Sequence, residues 1–411
     1  MAPDERQAVR AGYATHGERP DDKTWAHLLP KVELHVHLDG AFDPALLFEL
    51  AKKRLGELPE NTESAVTGKA MAVRDKVASC EKLEDFEKLI TCKGQRSLKA
   101  MLDCFNIFLP CVRGDLNAVE EMSYRFCCRQ AKENVVYTEE FPREVWPGLV
   151  RYSPHLLLDG EYFSGETRLD PEAAVAAVTR GLRRGCREHG IVVNQILCCI
   201  SFQPSWSTAI VDLALKHRDA FPCAVVGIDV AAGEVGDDPA QHAPAFQRAN
   251  ELGIKATLHA GEMGGPENVR HAVFDFRAAR VGHGYAAADQ PELLKACVAE
   301  GAHFEVCPTS SQETGAWHYT DDKPPWPKHP LHAMLEAGAS VSINSDDPSV
   351  FVTDLTEEFC VCLRAGLTRQ EALQLNRNAL QAAFGDRKEL QEVRRLIDAY
   401  AMQMDPVSVS A

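Results

Sequence analysis

The stretch KVELHVHLDGAF, residues 31–42, decides the fold and supplies the first candidate site. Side chains of a strand alternate between its two faces, so His35, His37 and Asp39 project from one face and the intervening apolar side chains from the other. A half-exposed strand whose polar face meets water would explain this pattern. Two imidazoles on one strand face can also chelate a metal ion, and the pair by itself leaves both interpretations open.

From residue 30 onward, short apolar runs alternate with longer segments of helical period. Several runs are apolar throughout, which is typical of parallel strands covered on both faces. Eight such runs predict an α/β fold, a (β/α)8 TIM-type barrel with extra C-terminal helices. An open doubly wound sheet is the alternative, although no G-x-G-x-x-G motif follows the first run. The predicted strands are KVELHVHL, VVYTEE or LVRYSP, VVNQILCCI, CAVVGIDVA, KATLHAG, RVGHGY, HFEVCP and VSINSDD.

The domain organisation is predicted to be simple. Residues 1–29 are polar and are expected to form a flexible leader, residues 30–402 a single barrel domain, and residues 403–411 a loose tail. The polar N-terminus has no apolar core of a secretory signal, and no run approaches the roughly 18 apolar residues of a membrane span. We therefore predict a cytoplasmic protein, for which a monomer is the simplest expectation.

The charge and the cysteines restrict the class of partner and the compartment. The chain has 44 Lys and Arg against 60 Asp and Glu, a formal net charge of −16, whereas nucleic acids and anionic membranes attract basic surfaces. We therefore expect no nucleic-acid and no membrane partner. The 14 cysteines contain no C-x-x-C motif and are predicted to be reduced, mostly buried thiols, as is usual in the cytosol.

Polar residues collect where the later strands are predicted to end. His259 and Glu262 lie at the end of the fifth strand, His283 lies in the sixth, and Asp346 and Asp347 lie at the end of the eighth. In a barrel, the carboxyl ends of the strands form the active site. Each residue has an ordinary explanation, such as a hydrogen-bonded core histidine or an Asp-Asp-Pro turn. Together they favour a cation site, because buried charge is costly without a partner.

The segments HVHLDGA, VRYSPHLL, ILCCISFQPSWS, TLHAGEMGGPENV, VGHGY, HFEVCPTSSQETGAW and NSDDPSVF occur in this order. Over residues 30–400 the chain thereby resembles the adenosine deaminase family of the metal-dependent amidohydrolase superfamily. The resemblance implies zinc-dependent hydrolysis of adenosine and 2′-deoxyadenosine to inosine and 2′-deoxyinosine plus ammonia, in purine salvage. It also implies a small-molecule nucleoside substrate and one Zn²⁺ per chain.

The resemblance also implies a role for each strand-end residue. Glu262 would protonate purine N1, and His283 and Asp346 would orient the attacking water, whose pKa zinc lowers toward about 7. Asp39 would hold the ribose, Asp347 would meet purine N7, and His37 would lie beside the substrate. The implied zinc ligands are His35, His37, His259 and Asp346.

Two further parts of the expected pocket are less regular. Leu98, Met101 and Phe105 share one face of a predicted helix, where they could cover the substrate or simply belong to the core. The family usually has a glycine whose backbone N–H reaches purine N3. Ala232 stands at that position here, and its Cβ is expected to crowd the ring or shift the loop.

A ten-residue segment, residues 140–149, interrupts the second predicted strand. It contains Pro142 and Pro147, and proline cannot donate a hydrogen bond within a central strand. We expect this segment to be a loop at the barrel mouth, or an artefact of gene prediction, rather than a strand. Displacement of the upper part of the strand, including Arg151 and Tyr152, is the third outcome.

Three other functions remain as alternatives to adenosine deamination. A deaminase of AMP or N6-substituted AMP would need basic residues for the phosphate, and no basic cluster is evident. A two-metal amidohydrolase often uses a carboxylated lysine on the fourth strand, and CAVVGIDVA has none. An inactive binding protein would not need the complete set of ligands and acid, and a secreted growth-factor-like relative is expected to carry a signal peptide, which the polar N-terminus does not resemble.

Overall fold

The computed structural model describes residues 20–135, 148–158 and 170–404, apart from the single positions 192, 221, 235, 237, 322 and 386. Two short strands pair with each other and seven others form one sheet. In chain order, the strands are β1 (Asn61–Glu63), β2 (Ala70–Ala72), β3 (Gly148–Tyr152), β4 (Val193–Ile200), β5 (Val225–Ala231), β6 (Lys255–Ala260), β7 (Arg280–His283), β8 (His303–Val306) and β9 (Ser340–Ile343).

Helices connect consecutive parallel strands, and most begin at a capping side chain or at a proline in the first turn. The helices span Asp22–Leu28, Pro44–Lys53, Arg74–Ser79, Leu83–Ile90, Leu98–Val112, Leu116–Lys132, Pro154–Leu158, Pro171–His189, Ser207–His217, Ala243–Glu251, Pro266–Arg270, Tyr285–Ala288, Pro291–Ala299, Pro308–Glu313, Pro330–Glu336, Leu355–Arg364, Arg369–Ala382 and Arg387–Met404. The last three are the predicted C-terminal helices. None of the helices in the described ranges has both the length and the apolarity needed to cross a membrane.

The seven-stranded sheet is parallel throughout, in the order β3-β4-β5-β6-β7-β8-β9. Residues 31–38 contact both of its edges. His37 bridges Arg151 in β3, and Val36 bridges Asp346 just after β9. The His37 N–H donates to the Asp346 carbonyl at 2.8 Å, and the Arg151 N–H donates to the Val36 carbonyl at 3.0 Å. One segment therefore joins the two edges, and the predicted eight-membered barrel is confirmed.

The segment of residues 31–38 makes two isolated bridges instead of a regular strand ladder. A side chain replaces part of the ladder: Asn344 Oδ1 accepts from the backbone N–H groups of Leu34 and His35, at 2.8 and 3.1 Å. Buried N–H groups need an acceptor of some kind, and an amide side chain can provide it as well as a carbonyl. The prediction of an extended segment was right, and its regular pairing was not.

Of the two candidates for the second predicted strand, VVYTEE and LVRYSP, the second forms the observed strand β3. Gly148 and Leu149 pair with Val193 and Asn194 at the start of β4. The expectation that all of residues 140–149 would form a loop is therefore wrong for these two residues, because they continue the strand that carries Arg151. Residues 136–147 lie outside the described part of the chain.

The predicted boundary of the leader at residue 29 is also wrong. Asp22–Leu28 is a helix whose Trp25 is buried, and the Tyr400 hydroxyl in the last helix donates to the Trp25 carbonyl at 2.6 Å. Packing against the C-terminal helix therefore orders Asp22–Leu28, although the polar composition of this segment had suggested a loose leader. Residues 1–19 and 405–411 lie outside the described ranges, and the last helix ends at Met404, two residues past the predicted domain boundary.

Candidate active site

Four residues from distant parts of the chain place one potential ligand atom each within 4.8 Å of the others. They are His35 and His37 in the first segment, His259 in β6 and Asp346 after β9. The Nε2 atoms of His37 and His259 lie 3.1 Å apart, although the residues are 222 positions apart in sequence. Asp346 Oδ1 lies 3.2 Å from His35 Nε2 and 3.3 Å from His37 Nε2. The cluster sits at the carboxyl ends of the barrel strands.

These contacts have the geometry of a cation site. His35 Nδ1 lies 3.1 Å from Glu305, and His259 Nδ1 lies 3.0 Å from Asp229, so each ring can give its one proton to a carboxylate. The Nε2 atoms then carry lone pairs, and the buried Nε2 of His35 has no hydrogen-bond donor. Ligands about 2.0–2.1 Å from a tetrahedral zinc ion lie about 3.3 Å apart, close to the distances observed. The residues present therefore fit a bound zinc ion.

A buried ion network supports the two histidines from below. The Arg151 guanidinium, fully buried in β3, contacts both Asp229 in β5 and Glu305 in β8. Arg280 Nε lies 2.6 Å from the other oxygen of Glu305. Both carboxylates have depressed pKa values in spite of their burial, because the histidines and guanidinium groups beside them favour the charged form. The network keeps the carboxylates ionised, as acceptors for the histidine N–H groups.

The local backbone around two site residues is unusual. Asp346 has a φ of +62° and His283 a φ of +65°, values that non-glycine residues seldom adopt. Such strain costs on the order of 1–3 kcal/mol per residue and persists where the surrounding structure requires it. At Asp346 the requirement is visible: its N–H donates to the His35 carbonyl at 3.1 Å, and Ser310 donates to its Oδ2 at 2.6 Å.

The predicted acid and its neighbour face this cluster. His283 Nε2 lies 3.8 Å from Glu262 Oε2 and 3.8 Å from Asp346 Oδ2. Burial, reinforced by the charges of Asp346 and Glu234, holds the pKa of Glu262 well above its usual range. Burial also holds the pKa of His283 well below its usual range. Burial thus favours the protonated form of the Glu262 carboxyl group and the neutral form of the His283 imidazole.

Two more buried carboxyl groups line the cavity beside the cluster. Asp39 Oδ1 and Asp347 Oδ1 have no hydrogen-bond partner among the described residues. Burial, followed by the charge of Asp346, raises the pKa of Asp347 well above its usual range. Gly40 makes this arrangement possible, because a Cβ there would lie 1.7 Å from Asp347 Oδ1. Both carboxyl groups therefore have bonding capacity that a ligand could use.

The cavity above these residues has a volume of about 790 Å³. Leu98, Met101 and Phe105 line it and also pack on the core, so the two interpretations of these residues do not exclude each other. The hairpin of β1 and β2 forms an outer wall, tied to the neighbouring helix by a 2.7 Å hydrogen bond from Ser64 to Asp103. Sequence patterns did not reveal this hairpin, because its strands are only three residues long.

Ala232 lies in the wall of the cavity, directly after β5. Its φ is +96°, a conformation that favours glycine. The backbone at Ala232 therefore has a conformation that suits glycine, and this chain differs from the family pattern only by the added Cβ. The predicted loop shift is not needed to place the residue beside the cavity.

All the predicted site residues thus meet in one place, and sequence reasoning missed a set of residues that hold them. Asp229 and Glu305 are charged residues inside otherwise apolar strands, which was the available signal. Glu234 accepts hydrogen bonds from the loop that carries Glu262, and no sequence pattern indicated this contact. Partners from different strands cannot be paired by local periodicity.

A parallel α/β barrel that gathers histidine and carboxylate side chains at its strand ends has the architecture of a barrel enzyme with a metal centre. A sequence model of the adenosine deaminase family matches residues 30–400. The adenosine deaminase of Xenopus tropicalis is 35% identical over 382 residues, covering 91% of this chain and 96% of the relative. That of Enterococcus faecalis is 32% identical, with 90% and 96% coverage. The chain belongs to the adenosine deaminase family.

Solved structures agree on the fold. An amidohydrolase from Burkholderia ambifaria with bound zinc superposes with a TM-score of 0.75 at 24% identity, covering 95% of each chain. An Arabidopsis N6-mAMP deaminase superposes with a TM-score of 0.72 at 25% identity, covering 91% of this chain and 99% of that chain. These neighbours therefore show the same α/β barrel fold.

Proposed function

We propose that the protein catalyses the hydrolysis of adenosine and 2′-deoxyadenosine to inosine and 2′-deoxyinosine, with release of ammonia. The observation that carries the proposal is the position of Glu262, a buried carboxyl with a raised pKa that faces the histidine and aspartate cluster. The family to which the chain belongs supports the choice of adenosine.

The proposed ligands of one zinc ion are His35, His37, His259 and Asp346. When bound, zinc supplies a Lewis acid that makes water nucleophilic near neutral pH. A second group of potential ligands, His283, Cys307 and Asp346, shares Asp346 with the first. Because one carboxylate serves both groups, and because β5 contains no lysine, we favour one zinc ion over two. Zinc content per chain tests this choice.

The protein's own groups would then perform the proton transfers. Glu262 donates its proton to purine N1, which withdraws electrons from C6 and makes that carbon electrophilic. His283, neutral and 3.8 Å from both Glu262 and Asp346, orients the attacking water and accepts its hydrogen bond. Of the two protons of the attacking water, one finally reaches the amino group, which leaves as ammonia, and the other restores the proton that Glu262 gave to N1. The atoms balance as nucleoside plus water giving inosine plus ammonia.

Substrate orientation is proposed to depend on the two carboxyl groups with free bonding capacity. Purine N7 is a hydrogen-bond acceptor, so Asp347 must carry a proton to contact it, which agrees with its raised pKa. Asp39 is proposed to accept a ribose hydroxyl, and His37 lies at the same wall of the cavity. The backbone N–H of Ala232 is proposed to reach purine N3.

Deamination of AMP or N6-substituted AMP is the second candidate, because a structural neighbour is named as an N6-mAMP deaminase. The cavity argues against it. Among its described lining residues there is no Lys or Arg, while Glu63 lies at the outer wall. A phosphate in that position would lack a cation and face a carboxylate, so we favour the neutral nucleosides.

A direct assay tests both candidates. Purified zinc-loaded protein should convert adenosine and 2′-deoxyadenosine, followed by the ultraviolet change from adenosine to inosine, and should act far more slowly on AMP and N6-methyl-AMP. A preference for either nucleotide would reverse the assignment. We also propose a cytosolic location, which suits 14 free thiols of which all but Cys128 are buried. The monomeric state stays a prediction.

A further inference from the structure

The loop after β6 is held by a carboxylate from a different strand. Glu234 follows β5, and its Oε2 accepts backbone hydrogen bonds from Glu262, Met263 and Gly264 at 2.9, 2.8 and 2.7 Å. Its Oε1 accepts from the Gly261 N–H at 2.5 Å. Four consecutive N–H groups therefore converge on one carboxylate, an arrangement in which backbone dipoles bind an anion.

The sequence of the loop is suited to this convergence. Gly261 has a φ of +71°, and a Cβ at that position would lie 2.6 Å from Val269. A Cβ on Gly264 would lie 3.0 Å from the Glu234 carboxyl carbon. Asn268 adds a side-chain hydrogen bond to Oε1 at 3.3 Å. The two glycines thus allow the backbone to wrap closely around the carboxylate.

We propose that Glu234 is a positioning residue that fixes the backbone of Glu262, and so the position of the proton that Glu262 donates. This inference rests on the proposed deaminase function and adds a residue to its machinery. Glu234 itself lies outside the groups that meet the reacting atoms, since it contacts the loop from the side of β5. Charge-assisted hydrogen bonds of this kind are roughly twice as strong as neutral ones, so the loop is held more firmly than by a turn alone.

The first test is Glu234→Gln, which keeps the side-chain shape and replaces one acceptor oxygen by an NH₂ donor that faces backbone donors. A small misplacement of a reacting group costs up to about 10²-fold in rate, so kcat on adenosine should fall on the order of 10- to 100-fold. KM and zinc content should change by less than about threefold, because Glu234 neither lines the substrate cavity nor belongs to the proposed zinc ligands. Glu292→Gln, which removes an exposed carboxylate with a 90% exposed side chain, should have wild-type kcat.

Two further measurements separate positioning from a general structural role. Amide hydrogen exchange in residues 261–264 should be faster in Glu234→Gln than in the wild type, with other regions unchanged. In a Glu262→Gln background, Glu234→Gln should lower the residual kcat by less than about twofold, because the proton it positions is already missing. Glu234→Asp, which keeps the charge, should recover part of the lost activity.

The outcomes distinguish this inference from the proposed function. If the wild type deaminates adenosine and Glu234→Gln retains wild-type kcat, the positioning role is overturned and the deaminase function stands. Equal fold-losses from Glu234→Gln in both backgrounds would also overturn it, because Glu234 would then act independently of Glu262. A wild-type chain inactive on adenosine overturns both statements.

Discussion

The surroundings of Glu262 favour the neutral, protonated form of its carboxyl group. Burial is the largest cause of its raised pKa, followed by the charges of Asp346 and Glu234. A carboxyl group protonated at neutral pH can act as a general acid, which an exposed glutamate cannot do. The single residue thus takes its proposed chemistry from the groups packed around it.

Replacing Glu262 by Gln should remove most of the activity and leave the metal site intact. The amide has nearly the same shape but cannot transfer a proton to N1, so kcat should fall by about 10²–10⁴-fold or more. Zinc content and the binding of inosine should remain near wild-type values. Glu267→Gln, five residues further along and largely exposed, is the matched control. Near-normal turnover by Glu262→Gln would remove this residue from the mechanism.

The pH dependence of kcat should show the same group. Glu262 must be protonated, so activity is present below its folded-state pKa and is lost as the pH rises through that value. Because that pKa is raised, the alkaline decline should lie well above the usual range of a glutamate. Acidification should lower activity separately, as the proposed ligands take up protons. A flat profile from about pH 5 to about pH 9 would contradict a carboxyl donor.

Ala232 offers a test of backbone strain. A non-glycine residue in a left-handed conformation costs the folded state roughly 1–2 kcal/mol, and glycine relieves that cost. Glycine also increases the conformational entropy of the unfolded chain, which offsets about 0.4–1 kcal/mol of the gain. Ala232→Gly should therefore raise the free energy of unfolding by up to about 1 kcal/mol. The adjacent Ala231→Gly, within β5, should instead lower it by roughly 0.5–1 kcal/mol. Urea unfolding of both variants measures the difference, and equal losses would argue against strain at Ala232.

Among the elements, β3 supports the histidine cluster through Arg151. Its pairing with β4 continues from Gly148 to Tyr152, so Arg151 keeps its register in spite of the unusual sequence before it. That register places the guanidinium between Asp229 and Glu305, the carboxylates that orient His259 and His35. A slip of one residue would turn Arg151 to the other face of the strand.

Arg151→Met should therefore damage stability and the metal site together. The buried carboxylate of Asp229 would lose its guanidinium partner and Glu305 would keep only Arg280. Breaking a buried ion pair in this way typically costs about 3–5 kcal/mol in the free energy of unfolding. Loss of oriented outer partners lowers metal affinity by about 10–100-fold, which competition with a zinc chelator would measure. Arg180→Met removes an exposed pair with Glu120 and should cost less than about 1 kcal/mol. Similar losses for the two variants would contradict the role given to the buried network.

At the scale of the molecule, barrel closure assembles the site. Residues 31–38 bring two proposed ligands to the seam between β3 and β9, and β6 supplies His259 from within the sheet. The four proposed ligands come from three separate segments of the chain, so the cluster forms only when the barrel does. The proposed metal should in turn stabilise the barrel, because it binds the folded state and not the unfolded chain.

Metal removal should accordingly lower both activity and the melting temperature. Stabilisation of about 2.7 kcal/mol is expected when free zinc is 100 times its Kd, and a chelator should abolish it. His259→Ala should contain less zinc, lack activity and show little further response to the chelator. His271→Ala, which removes a partly exposed imidazole that pairs with Asp275 outside the site, is the control. Full zinc occupancy in His259→Ala would mean that this residue is not a ligand.

The sequence by itself determined the barrel, because period-two alternation and apolar runs are local patterns that can be recognised in a short window of sequence. It also supplied every member of the proposed site, through strand-end residues such as His259 and Asp346 and through a family resemblance. Only the tertiary structure showed that Glu234 holds the loop of Glu262, that Arg151 joins two orienting carboxylates, and that the helix Asp22–Leu28 packs on the C-terminal helix. These contacts join residues far apart in the chain, and no local pattern encodes which strands become neighbours when the barrel closes.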